Sequence, residues 1–221
     1  MARIYALLVP ALALVPNLAA AWQTKSTESG DTVRWDAPIV RMTLSDSMRQ
    51  NATAVQEAAA IWSAGSAAPV LSLSENRSVS PQTDDGINGV YIAEGWDHGD
   101  RVAVTLSTFG SGGIMVDADV LLNPAHFGPG GDGAYDVART LGHEFGHVLG
   151  LGESEDPGSL MWPEIPRDAL PTALSLDDEA GLSAVYGRGP NLALCGTSSG
   201  GSWAAAWLPV VFVLLVMSRP R

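Results

Sequence analysis

The alternation of apolar and polar positions predicts short strands interleaved with three helices. After a polar lead-in containing Trp35, residues 38–44 read as a strand. Asp46 and Ser47 offer an N-cap, and Ala52, Val55, Ala59 and Trp62 recur at three- and four-residue intervals. That spacing predicts a helix over 48–63, ended by Gly65, with Trp62 on its core-facing stripe. Residues 70–74 and 89–93 are further short strands, separated by a polar, turn-rich loop over 76–86. Residues 102–108 alternate cleanly, 110–113 make a glycine-rich turn, and 114–123 return as an antiparallel partner with Asp117 and Asp119 on one face.

A Gly- and Pro-rich loop over 124–135 leads to Asp136, an N-cap for a helix over 137–149. Its buried stripe is expected to be Val137, Leu141, Phe145 and Val148, with Gly150 at the C-cap, letting the chain turn back. Prolines keep the next stretch irregular. A last helix runs from Ser175, its cap, to Tyr186, with Asp177 and Asp178 in the first turn and Gly187 beyond the end. There is no internal repeat.

The two ends read differently. Arg3, an apolar run over 4–15 and Ala19-Ala20-Ala21 have the layout of a secretory signal peptide cleaved after Ala21. Pro10 and Pro16 argue against a buried N-terminal helix. Residues 188–202 form a Gly/Ser-rich linker carrying Cys195, followed by an apolar segment within 203–221 that ends in arginines. Its apolar run, 203–217, is shorter than the roughly 18 residues of a confident membrane span. Cys-Gly, a short hydrophobic helix and an Arg-containing tail resemble the sorting signals of myxobacterial surface proteins. A simple tail anchor or a packed C-terminal helix are the other readings, and a GPI signal is a weaker match.

The chain holds one cysteine, so no internal disulfide forms. Its formal net charge is −12, and loss of Arg3, Arg219 and Arg221 on processing leaves it more acidic still. Such a surface disfavours nucleic acid and anionic lipid headgroups as partners.

The chemistry lies in His143-Glu144-Phe145-Gly146-His147, an H-E-x-x-H on the helix over 137–149. Positions four apart put both imidazoles on one face, one turn apart, as ligands for zinc, with Glu144 beside them as general base. Gly150 follows at the spacing of a longer pattern whose last position is usually His, but here is Glu153. A carboxylate is a competent third zinc ligand. His126, Asp156 or His98 are the alternatives for that place, and a catalytically silent site is the third reading.

Residues 38–187 resemble the catalytic domain of a matrixin-type metzincin, the zinc endopeptidase clan that includes the collagenases. The resemblance rests on the H-E-x-x-H-x-x-G pattern and on Ser159-Leu160-Met161-Trp162-Pro163, which looks like the family's Met-turn. It rests also on Leu174-Ser175-Leu176-Asp177-Asp178 and on the run from Val116 to Asn123. Met161 lies eight residues beyond Glu153, as in that family.

What the resemblance implies is an α+β, zincin-like catalytic domain over 22–187. Its twisted mixed sheet has about five strands and one antiparallel edge strand, packed on the active-site helix and a second long helix, with a C-terminal helix beyond. It implies one catalytic Zn2+ held by His143, His147 and Glu153, with Met161 supporting the site from below. Val102, Ala103, Val104 and Thr105 on the edge strand would pair with an extended protein or peptide substrate. Asp177 and Asp178 would tie down the N-terminus and the Met-turn. Structural Ca2+ or a second Zn2+ occurs in some matrixins; Asp97, His98, Asp100, Asp117, Asp119, His126 and Asp132 show no recognised spacing for one and read as solvated. The expectation is a monomeric, exported zinc metalloendopeptidase at a bacterial cell surface, attached to the membrane through its C-terminal segment before or after processing.

Overall fold

The computed structural model describes residues 21–63, 68–75, 79–165, 167 and 173–187, and the backbone of 212–217. The expected signal peptide (save Ala21), Gly65, the linker with Cys195 and most of the C-terminal segment lie outside the described residues.

Five strands form the sheet of the domain: β2 (Ile39–Leu44), β3 (Val70–Glu75), β4 (Asn88–Ile92), β5 (Ala103–Phe109) and β6 (Met115–Leu122). Their order is β3-β2-β4-β6-β5; all neighbours are parallel except β5 and β6, which form an antiparallel pair. The mixed α+β sheet with one antiparallel edge is the architecture expected. Alternation decides which face is buried. Val40, Met42 and Leu44 on β2 and Ala118, Val120 and Leu122 on β6 point into one core. Two helices close that core, α1 (Ala52–Ser63) through Val55, Ala58, Ala59 and Trp62, and α3 (Val137–Val148) through Leu141, Phe145 and Val148. Each buried Val, Leu, Met or Phe among them contributes roughly 1.5–3 kcal/mol by leaving water, and each alanine less. The Trp62 indole N–H donates to the Gly142 carbonyl at 2.7 Å, so it satisfies its polar atom while pinning α1 to α3.

Several local expectations change. The segment preceding α1 is a 3-10 helix, Asp46–Asn51, with Ser45 at its N-cap position rather than Asp46 or Ser47. A four-residue helix α2 (Pro124–Phe127) interrupts the loop before α3, capped by Asn123. Almost every residue of α3 is buried, including the histidine face; Val137, expected in the stripe, is only half-buried. An amphipathic pattern assumes one face in water, and here the second face is covered by other parts of the chain.

One cover is an unanticipated antiparallel ribbon of β1 (Trp22–Thr24) and β7 (Leu151–Ser154), too short to leave a periodic signal. The last helix α4 (Leu176–Tyr186) starts in a full capping box between Ser175 and Asp178. A further strand β8 (Phe212–Met217) pairs antiparallel with β5, Val104 opposite Met217 and Phe109 opposite Phe212. An extended strand thus stands where a short hydrophobic helix was expected. Among the described residues no helix is long and apolar enough to cross a membrane.

Candidate metal centre

The site begins with the cap of α3. Asp136 accepts the Arg139 backbone N–H at 2.7 Å, setting the phase of the helix. His143 and His147 are four positions apart, and their rings meet edge to face with centroids 4.7 Å apart. Each imidazole is fixed by a carbonyl: His143 Nδ1 lies 2.8 Å from the Leu160 oxygen and His147 Nδ1 2.9 Å from the Leu151 oxygen. A carbonyl can only accept, so both Nδ1 atoms carry the proton and both Nε2 atoms present a lone pair. Burial lowers both histidine pKa values to about 3, helped for His143 by its neighbour His147 and for His147 by Lys25. The rings are therefore neutral ligands at neutral pH.

The helix ends at Val148, and Gly150 takes φ +88°, a conformation that an L side chain rarely adopts. A Cβ there would also strike the Val33 carbonyl. This turn brings Glu153, on β7, back over the imidazoles. Its carboxylate oxygens lie 3.6 Å from His143 Nε2 and 3.6 Å from His147 Nε2. All four atoms are buried and lack a hydrogen-bond partner. Ligand atoms about 2.0–2.2 Å from a tetrahedral zinc ion stand roughly 3.3–3.6 Å from one another, so the donor set fits zinc in both chemistry and spacing. Burial raises the Glu153 pKa, and His143 and Lys25 oppose that shift.

Glu144 is buried, and its Oε2 accepts the Thr105 hydroxyl of β5 at 2.6 Å. Below the ligands, a Cβ on Gly146 would collide with the Met161 sulfur and the Trp62 ring, so Met161 lies directly against the helix between the two histidines. Its turn is held by Asp178, which accepts the Ser159 hydroxyl at 2.5 Å and the Leu160 N–H at 3.1 Å. Asp177 accepts the Trp22 backbone N–H at 3.1 Å and the Ser154 hydroxyl at 2.7 Å, joining the N-terminal ribbon to α4.

The family model described as Matrixin matches residues 25–187. The chain belongs to the matrixin family. Over 110 residues it is 37% identical to neutrophil collagenase of Homo sapiens, an overlap of 43% of this chain and 22% of that protein. Over 57 residues it is 40% identical to metalloendoproteinase 1 of Glycine max, covering 26% of this chain and 19% of that one. Interstitial collagenase of Bos taurus is 44% identical over 57 residues, 26% of this chain and 12% of the other. The chain thus spans less than a quarter of the length of these curated relatives.

In this matrixin the other candidates for the third ligand are engaged elsewhere. His126 pairs with Asp132 at 2.9 Å, His98 with Asp97 at 3.3 Å, and Asp156 accepts the Gly158 N–H of its own turn. Among the described residues, His143, His147 and Glu153 are the group of three that gathers. Asp117 and Asp119 are not solvated as expected. Both are fully buried, because residues 79–87 cover their face of the sheet, where Asp84 N–H and Gly89 N–H bond to them. Burial raises the pKa of Asp117, and raises that of Asp119 to about 7 with Asp117 and Asp85 adding to it.

Of the four edge residues, Ala103, Val104 and Thr105 lie on β5. Val102 precedes the strand and packs with Tyr135 and Ile165. The Thr105 side chain turns inward to Glu144. Sequence reasoning missed this contact, as it missed Lys25, whose Nζ donates to Ser107 at 3.3 Å beneath β5. The signal for Lys25 was present, since it is the sole lysine of the chain.

Proposed function

We propose that this matrixin is an exported zinc endopeptidase that cleaves protein or peptide substrates through His143, Glu144, His147 and Glu153. The observation that carries the reading is the pair of buried Nε2 lone pairs facing a buried, unpartnered carboxylate. His143, His147 and Glu153 would hold the zinc ion, leaving its fourth position open. Bound zinc supplies Lewis acidity toward water and the scissile carbonyl. Glu144 takes the proton from the attacking water and delivers it to the leaving amine. Thr105 holds that carboxylate in place. Met161 packs under the ligands and takes no chemical part.

The β5 edge would bind an extended substrate backbone, antiparallel, through main-chain hydrogen bonds at Ala103, Val104 and Thr105. The pairing of β8 with the same edge supports this, since it is the same mode of strand addition. Residues 1–21 act as the export signal. Cys195 and residues 203–221 act as a surface-sorting or anchoring segment on a bacterial envelope, and the processed domain, 22–187, works as a monomer.

The test is zinc content of the purified full-length protein by elemental analysis, combined with cleavage of a denatured protein substrate with and without chelator. One zinc per chain and chelator-sensitive cleavage are expected. Stoichiometric zinc with no cleavage would instead make it a silent, metzincin-fold surface protein.

A further inference from the structure

Thr105 is fully buried, although β5 is the outer strand of residues 39–122. Alternation along β5 sends Val104 and Leu106 to the far face of the sheet, against Tyr91 and Leu121, and turns Thr105 toward α3. There its hydroxyl meets Glu144 twice, 2.6 Å from the carboxylate Oε2 and 3.2 Å from the backbone carbonyl. Both of those oxygens accept and the hydroxyl has a single hydrogen, which the shorter contact takes.

This contact joins two parts of the site that belong to different elements. Glu144 follows the ligand His143 on α3, whereas Thr105 lies on the strand whose outer edge would take the substrate backbone. Thr105 is in register with Val120 of β6 on one side and with Val216 of β8 on the other, so pairing along the outer edge acts on this residue directly. A β-branched side chain has restricted χ1 rotation, so its hydroxyl follows the strand backbone. Glutamate, by contrast, has a long side chain whose rotamers must be narrowed before its carboxylate can be aimed at a water.

We propose that Thr105 is a positioning residue that couples substrate pairing to the general base. An extended peptide that pairs along β5 fixes the strand, and the strand fixes the Glu144 carboxylate through the Thr105 hydroxyl. Part of the binding energy of substrate residues away from the scissile bond then goes into orienting the base, and appears in kcat rather than in KM alone. The substrate feature to which the centre responds is therefore a length of extended backbone on either side of the cleaved bond. The proposal rests on the functional reading above.

The test takes the full-length protein as wild type, Thr105→Val, Thr105→Ala and Thr105→Ser, and measures kcat, KM and zinc content. Two peptides share one scissile bond, one of them short and the other extended on both sides to pair along β5. For the wild type, lengthening is expected to raise kcat as well as lower KM. Without the hydroxyl, in the Val and Ala variants, kcat on the long peptide should fall about 10–100-fold. Their zinc content and KM should stay as in the wild type, and the kcat gain from lengthening should vanish. Thr105→Ser keeps the hydroxyl and should restore both. A purely packing role gives another pattern, in which Thr105→Val, which keeps the volume, behaves like the wild type, and Thr105→Ser, which loses the methyl, behaves like Thr105→Ala. The Ala variant carries the comparison if Val crowds the site. Displacement of β8 raises KM for every variant alike and leaves the kcat comparison intact. Wild-type kcat in the hydroxyl-free variants overturns the proposal, as does loss of their zinc, a kcat gain that survives in them, or a Ser variant that restores nothing. A wild type without zinc or cleavage overturns the functional reading and this one with it. A wild type in which lengthening lowers KM and leaves kcat unchanged keeps that reading and overturns this one alone.

Discussion

Individual side chains divide the centre into separable tasks. The Glu144 carboxylate is held by Thr105 and stands outside the group of His143, His147 and Glu153, so Glu144→Ala should keep zinc and lose cleavage by a factor of about 10²–10⁴; elemental analysis beside a peptide assay checks both. Glu153→Ala should weaken zinc at least tenfold, and unchanged affinity in a chelator titration would remove Glu153 from the ligand set. Asp119 makes a prediction of a different kind. Its folded pKa is about 7, against roughly 3.9 for an unfolded Asp. The protonated carboxyl favours the fold, so this contribution is complete below about pH 4 and is lost as pH rises toward 7. Asp119→Asn should therefore melt higher than the wild type at pH 8 in the presence of chelator and similarly at pH 4. A difference that does not vary with pH would contradict the assignment. The two histidines and Glu144 were legible in the sequence, because four-residue spacing on a helix leaves little freedom. Thr105 was legible only as a strand residue, and its inward direction depends on where α3 lies.

Among the elements, α3 depends most on close approach. Gly146 faces Met161 and Trp62 with no room for a methyl group. Gly146→Ala should destabilise the fold by about 1–3 kcal/mol through overpacking, read as a lower denaturant midpoint with unchanged slope. Loss of zinc without loss of stability would place the strain in the ligands instead. The helix caps at Asp136 and Ser175 and the alternation of β2, β5 and β6 were readable because each is a local signal in a few residues. The ribbon of β1 and β7 was not, since three or four residues carry no period and its partners lie far apart in the chain. The burial of Asp117 and Asp119 was hidden for a similar reason. A polar residue alternating on a strand reads as exposed unless the loop that covers it is known.

At the scale of the whole molecule, the sheet order leaves β5 as the outer strand of residues 39–122, and β8 pairs with its free edge. On the proposed mode of substrate binding, substrate and β8 would compete for that edge. A protein of residues 22–187 should therefore cleave a peptide faster than one of residues 22–221, and a synthetic peptide of residues 212–217 should slow the shorter one. Equal rates would separate β8 from the substrate edge. The sequence by itself determined the zinc helix, the Met-turn, the strand and helix periods and the family, all of which are written in short-range spacing. The tertiary structure alone decided that Glu153, rather than a loop histidine, faces both imidazoles. It also decided that Thr105 serves Glu144, and that the lone lysine is buried with its ammonium on Ser107 of β5. Those placements follow from turns at glycine and from strand pairing, which side-chain spacing does not encode.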